Sequence, residues 1–194
     1  APNPARNLRF LDFPYWIAAQ SKPLVCAEQG TITGEWEKSE MKIEIRQIEH
    51  AEEKRIICRA ILEALPEWFG IPEAREEYIR ESADRLFFAA MDGEKPVGFL
   101  YLKETGRDTV ELYAMGVLKA RHRTGVGRAL VEAARRAARE AGYAFMQVKT
   151  VQMGKYAEYD ATNRFYLAMG FKEFEVFPHL WDEWNPCQVY VMGL

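Results

Sequence analysis

Hydrophobic and polar residues change rhythm along the chain, and each rhythm predicts an element. Met41 opens MKIEIRQI, whose alternation predicts a strand over Lys42–Ile48. His50–Leu65 reads as a helix, with Ile56, Ile57, Ala60, Ile61 and Ala64 on one face. PEWFGIP, 66–72, reads as a turn with exposed aromatics, followed by a polar helix over Glu73–Ala83. Leu86–Met91, Val97–Lys103 and Thr109–Val117 read as three strands, joined by turns at Asp92-Gly93 and at 106–108. Then comes the strongest helical rhythm: Val126, Ala129, Leu130, Ala133, Ala134, Ala137 and Ala138 recur at steps of three and four, and Gly142 is placed to cap it. Ala144–Thr150 reads as a strand, Asp160 as the N-cap of a helix through Met169 that stops at Gly170, and Phe171–Phe177 and Gln188–Met192 as closing strands.

This order is strand, two helices, a three-strand antiparallel meander, helix, strand, helix and two strands. It predicts a mixed α/β domain. With 194 residues the chain is long enough for one well-cored domain. Residues 1–40 show no sustained period and read as an N-terminal extension to a domain over 41–194. A net charge of -3 gives no support to nucleic-acid binding. Cys26, Cys58 and Cys187 form no CxxC pair, and no Cys/His spacing suggests a metal site. No apolar run is long enough to span a membrane and no Lys/Arg-led leader opens the chain, so a cytoplasmic protein with reduced thiols is expected.

Charge is clustered where the strongest helix begins. RHRTGVGRAL, 121–130, places Arg121, Arg123 and Arg128, with Lys119 and His122, around Gly125 and Gly127. A helix N-terminus offers unpaired N–H groups and the positive end of the dipole, and glycines let an anion approach the backbone. A phosphate is the expected ligand; an ordinary strand-to-helix connection is the bland alternative. No GxxxxGK[ST] is present, and Leu130 stands where a dinucleotide fingerprint needs its third glycine.

From Val117 to Leu130 the sequence VLKARHRTGVGRAL resembles the acyl-CoA signature of the GNAT superfamily of N-acetyltransferases, with His122 at a position that family gives to Gln or Arg. Asn163-Arg-Phe-Tyr166-Leu-Ala-Met-Gly170-Phe171 resembles the family's second motif, Asn-x-x-Tyr-x-x-x-Gly-Phe. The resemblance runs from about Met41 to the C-terminus. It implies the GNAT fold, a mixed, mostly antiparallel sheet of six to seven strands flanked by about four helices. It implies acetyl-CoA as acyl donor, with Arg123, Thr124, Gly125, Val126, Gly127 and Arg128 around the pyrophosphate. Gly116, Val117 and Leu118 would pair strand-like with the pantetheine arm, Asn163 would contact it, and Tyr166 would protonate the departing thiolate. Dimers are common in the family; this sequence shows none.

Transfer from a thioester to an amine needs alignment, oxyanion stabilisation and the removal of one proton. Glu111 lies six residues before Val117, which in an unbroken strand puts both on one face, and it corresponds in place to a glutamate base of the family. Bulges are frequent in that strand of the family and would break the parity. Glu111 is therefore the candidate base or amine-binding carboxylate, with Tyr113 acting through water as the next candidate. Acceptor contacts are expected from the turn after the first helix, the 151–159 loop and the last hairpin. Trp68, Tyr113, Tyr156, Trp181 and Asp182 are the principal candidates, because aromatic walls with carboxylates suit a cationic amine. The expected activity is acetyl transfer in a ternary complex to a small cationic amine, such as an aminoglycoside-like antibiotic or a polyamine, or to a peptide amine. A non-catalytic acyl-CoA sensor and an acyltransferase using a longer acyl group are the alternatives.

Overall fold

The structure is a computed structural model that describes residues 43–194. The extension expected at 1–40, with Cys26 in it, and Met41 and Lys42 lie outside the described residues. The elements are β1 (Ile43–Ile48), α1 (Ala51–Glu63), α2 (Pro72–Glu81), β2 (Leu86–Asp92), β3 (Lys95–Gly106), β4 (Thr109–Val117), α3 (Val126–Glu140), β5 (Phe145–Val151), α4 (Ala157–Ala168), β6 (Lys172–Phe177) and β7 (Cys187–Gly193). All seven strands form one sheet in the order β1-β2-β3-β4-β5-β7-β6. Every neighbouring pair is antiparallel except β4 with β5, which the crossover through α3 makes parallel. This is the mixed, mostly antiparallel sheet with four α-helices that the sequence predicts.

Alternation along the strands sorts the core into two faces. Phe88, Leu100, Leu112, Met146 and Tyr190 pack beneath α3 with its Val126, Leu130, Val131 and Ala134. Phe87, Phe99, Tyr101 and Ala114 face the opposite way, beneath α1 and α2. The buried stripe of α1 runs through Lys54, Ile57, Cys58, Ile61 and Leu62, so it lies to one side of the predicted one; Ile56 points to solvent. Phe69 in the 66–72 turn is buried against Tyr78, not exposed, because the turn folds back over the α1 face.

α4 begins a turn earlier than predicted. Tyr156 takes the N-cap position, and the Asp160 carboxylate accepts a bond from Gly154 N–H at 2.6 Å instead of capping the helix. Its end is as predicted, and the second motif shows how. Gly170 has φ +95°, its N–H bonds to Leu167 C=O, and Phe171 N–H reaches back to Tyr166 C=O. The Tyr166 and Phe171 rings touch with centroids 5.7 Å apart. That is a Schellman stop with its apolar clasp, so Tyr-x-x-x-Gly-Phe is a helix terminator as well as a candidate for chemistry.

Lys54 is buried, and its ammonium donates to Ala83 C=O at 3.3 Å and Arg85 C=O at 2.7 Å. It holds the end of the α2 segment against α1. Lys54→Met is expected to lose about 1.5–3 kcal/mol of stability, the usual worth of a charge-assisted bond, as read by urea unfolding. Wild-type stability in that variant would refute the tie.

Candidate active site

The site begins where β4 and β5 part. Their pairing runs from Thr109↔Phe145 to Leu112↔Val148 and stops, although β4 continues to Val117 and β5 to Val151. Beyond that rung the two strands diverge as the arms of a fork. Backbone parity says which groups line it. Leu118 N–H donates to Val97 C=O across β3, so Leu118 and Gly116 turn their backbone groups toward β3, while Val117 and Met115 turn theirs toward the fork. On the other arm Gln152 N–H donates to Pro186 C=O, so Val151 faces the fork.

Two of these fork-facing carbonyls are held by side chains. His122 Nε2 lies 2.7 Å from Val117 C=O. Asn163 Nδ2 donates to Val151 C=O at 2.9 Å and to Tyr159 C=O at 2.6 Å, and Asn163 Oδ1 accepts from Tyr190 hydroxyl at 2.6 Å. Asn163 is fully buried, and its amide is occupied by the protein itself.

The glycine loop sits at the head of the β4 arm. Gly125, at φ +90°, is the N-cap of α3, where a Cβ would meet nothing; it is needed for its backbone conformation. Arg123 adopts φ +62°, alone among the described non-glycine residues in that region. Gly127 is needed for space: a Cβ there would come within 3.2 Å of Met115 Cε and of the Phe165 ring. Gly116 likewise gives room to α1, since a Cβ would stand 2.8 Å from Ile61 Cγ2. The cations are less available than their clustering implies. Lys119 is paired with Glu67, whose carboxyl it holds below the usual range, and Arg121 is paired with Asp92. Arg123 and Arg128 project near the loop, Arg128 only 3.7 Å from Glu132. Val126, Gly127 and Arg128 supply first-turn N–H groups, and Thr124 Oγ1 donates to Arg121 C=O at 2.8 Å.

Glu111 lies at the base of the fork, 4% exposed, on the α1/α2 face. It does not share a face with Val117. The β3–β4 register slips between Leu102↔Leu112 and Tyr101↔Ala114, leaving Tyr113 as an extra, bulged residue. Past the bulge Gly116 turns to α1 and Val117 to the α3 side. Glu111 Oε2 is engaged by Lys149 Nζ and, at 3.1 Å, by Gln147 Nε2. The sequence reading missed both partners. Their signal was the alternation in MQVKT: polar 147 and 149 share one face of a strand whose other face is apolar.

Tyr166 is 7% exposed among Phe165, Phe171 and Tyr190, and its hydroxyl makes no hydrogen bond among the described residues. Burial pushes this phenol well above its ordinary range. Tyr113 is raised for the same reason first, stands against Tyr78 and Tyr101, and carries Lys103 Nζ 4.3 Å from its ring centroid.

The acceptor candidates come from three segments that meet. Trp68, Tyr156, Tyr159 and Trp181 gather around Val151, Cys187 and Val189 in a small apolar cluster. Trp68 also packs edge-on to His122 at 5.9 Å, and its C=O accepts from Tyr159 hydroxyl at 3.2 Å, which ties the turn to both arms of the fork. Asp182 follows Trp181 but is engaged locally. Its carboxylate caps its own turn, accepting from Trp184 N–H and Asn185 N–H at 2.8 Å each. Among the described residues no cluster of His, Cys, Asp and Glu could hold a metal, and no helix is long and apolar enough to cross a membrane.

Residues 83–173 match a family model described as an acetyltransferase (GNAT) domain. Among solved structures, an acetyltransferase ascribed to the GNAT family from Desulfovibrio desulfuricans is 21% identical, with TM-score 0.68 over 78% of this chain and 99% of its own. The ribosomal-protein-S18-alanine N-acetyltransferase of Escherichia coli is 16% identical, with TM-score 0.61 over 78% and 94%. An aminoglycoside 6'-N-acetyltransferase complexed with coenzyme A is 17% identical, with TM-score 0.60 over 77% and 96%. At these identities the likeness is one of fold. No curated protein matches the chain in sequence.

Asn163 replaces, at Val151, the partner that β4 would supply if the sheet stayed closed. Asn163→Leu leaves that carbonyl, Tyr159 C=O and the Tyr190 hydroxyl without it, and an expected loss of about 2–4 kcal/mol is read by urea unfolding. A change within about 0.5 kcal/mol would show that the clamp is dispensable.

Proposed function

For a chain that carries a GNAT acetyltransferase domain, we propose that it transfers an acetyl group from acetyl-CoA to a primary amine, directly and in a ternary complex. The observation that carries this is the fork: a strand edge at Met115 and Val117, left by β5, that leads through a 3-10 turn at Lys119–Arg121 to the glycine-capped start of α3. Such an edge suits an extended amide-bearing chain, and the helix start suits the pyrophosphate beyond it. The residues therefore fit acetyl-CoA. Arg123–Arg128 would hold the pyrophosphate, and Val117 with Met115 would hold the pantetheine arm. Gly116 serves by letting α1 approach, and Leu118 by turning the chain.

When bound, acetyl-CoA supplies an acyl group already activated as a thioester. The protein's part is to align the amine and move protons. Glu111 takes the proton that the amine nitrogen loses as its bond to the acetyl carbon forms, directly or through water, and Tyr166 gives its phenolic proton to the sulfur as the carbon–sulfur bond breaks. A phenol held above its ordinary range keeps that proton at neutral and alkaline pH. Trp68, Tyr113, Tyr156 and Trp181 would wall the acceptor, a small cationic amine or a peptide amine. A cytoplasmic setting supplies the donor. The rival is a non-catalytic acyl-CoA sensor, favoured by one observation: the carboxylate of Glu111 is already engaged.

Thiol release from acetyl-CoA with a panel of amines separates the two. Turnover with at least one amine is expected, and CoA binding without turnover would favour the sensor. Tyr166→Phe is expected to lower kcat about 10–100-fold with little change in CoA binding. A rate equal to wild type across pH would remove Tyr166 as the acid. Gly125→Glu puts a side chain at φ +90° and a negative charge beside the phosphates, so calorimetry should show CoA binding lost. Binding retained would overturn the loop's role.

A further inference from the structure

We infer that Lys149 is the positioning residue for Glu111: it fixes one carboxylate oxygen on β5 and leaves the other for the acceptor's proton. The inference rests on the acetyl-transfer reading above. Three observations carry it.

The first is place. Leu112↔Val148 is the last rung joining β4 to β5, and Lys149 is the next residue on β5. Its backbone is held from the far side by pairing with Val189 of β7. From there its ammonium reaches back across the base of the fork to Glu111, which sits opposite Gln147.

The second is which atom is held. Lys149 Nζ and Gln147 Nε2 both engage Oε2 of Glu111, and Oε1 accepts no hydrogen bond among the described residues. The two oxygens are thus made unequal by β5. A carboxylate tied at one oxygen cannot rotate freely, and proton transfer depends on such orientation.

The third is cost. The side chains of Lys149 and Glu111 are 17% and 6% exposed. Taking both ions from water is expensive, and an apolar pair of similar volume would commonly serve stability as well or better. Around them lie Tyr113 on β4, Lys103 opposite Glu111 on β3, and Cys187 on β7, whose thiol burial pushes up to about 12. Neighbouring Val151 and Val189 show that the same face is elsewhere filled with apolar side chains.

Lys149 touches Glu111 and is assigned no contact with substrate, so it acts through Glu111. The test uses the full chain, thiol release for kcat and KM, and calorimetry for coenzyme A. Lys149→Met is expected to lower kcat about 10–100-fold while KM for acetyl-CoA stays within about twofold. Lys149→Arg, which keeps a cation, should recover most of the rate; Lys149→Gln serves if the methionine variant fails to fold. Because the residue acts through Glu111, Lys149→Met combined with Glu111→Gln should be no slower than Glu111→Gln alone. Wild-type kcat in Lys149→Met, an arginine variant as slow as the methionine one, or multiplied losses in the double variant would each overturn the inference. Wild-type turnover by Glu111→Gln would remove it too, while leaving acetyl transfer intact. No thiol release by the unmodified protein with any amine would overturn both.

Discussion

A sheet that opens in its middle must find partners for the backbone groups it exposes. Unpaired N–H and C=O groups away from water are costly, so a fork between β4 and β5 persists only if something satisfies its lips. Two side chains each take one of its carbonyls, one on each arm. Asn163 takes Val151 C=O, and His122 takes Val117 C=O. Asn163 is in turn fixed by Tyr159 C=O and Tyr190 hydroxyl, so the start of α4 and strand β7 hold the β5 arm open. The residues that fall around this opening, Glu111, Met115, Val117, Gly127 and Phe165, owe their proximity to it. Without the parting, β4 would have no free edge for a ligand.

A single bulged residue decides what each side of the fork carries. Tyr113 interrupts the β3–β4 register, and the faces of β4 exchange beyond it. Glu111 therefore stays on the α1/α2 face with Lys149, while Val117 joins the α3 side. In the proposed reaction, donor and acceptor would then approach from opposite faces and meet at the crotch. Gly116 follows from the same geometry, since after the bulge it is the residue that turns into α1, where Ile61 leaves no room for a Cβ.

Much of this was legible in the sequence. The element order, the α3 stripe, the Gly125 entrance and the Gly170 stop are local signals, and the structure places them as read. What failed was what depends on contacts distant in sequence. The parity linking Glu111 to Val117 required an unbroken strand; the family resemblance warned of a bulge, but nothing in the residues placed it at Tyr113. The stripe of α1 was displaced because buried Lys54 reads as a surface residue until Ala83 and Arg85 are seen beneath it. Cations near the loop look free in sequence, yet Asp92 and Glu67, far upstream, claim two of them. Asp182 suits an ammonium by type, but its own turn uses its oxygens.

The two halves of the site differ in how firmly they are built. The proposed cofactor side rests on β4, β5 and the first turn of α3, elements locked into the sheet and the larger core. The proposed acceptor side rests on Trp68, Tyr156 and Trp181 from three connections and Tyr159 from the first turn of α4, which meet in a small satellite cluster. Trp184, 71% exposed beside it, contributes little packing. The proposed base lies between the two: Glu111 sits on a core strand, and its partner Lys149 pairs with Val189 of that cluster. A tie such as Lys149 keeps its orientation tied to the sheet and independent of whichever acceptor the loops admit.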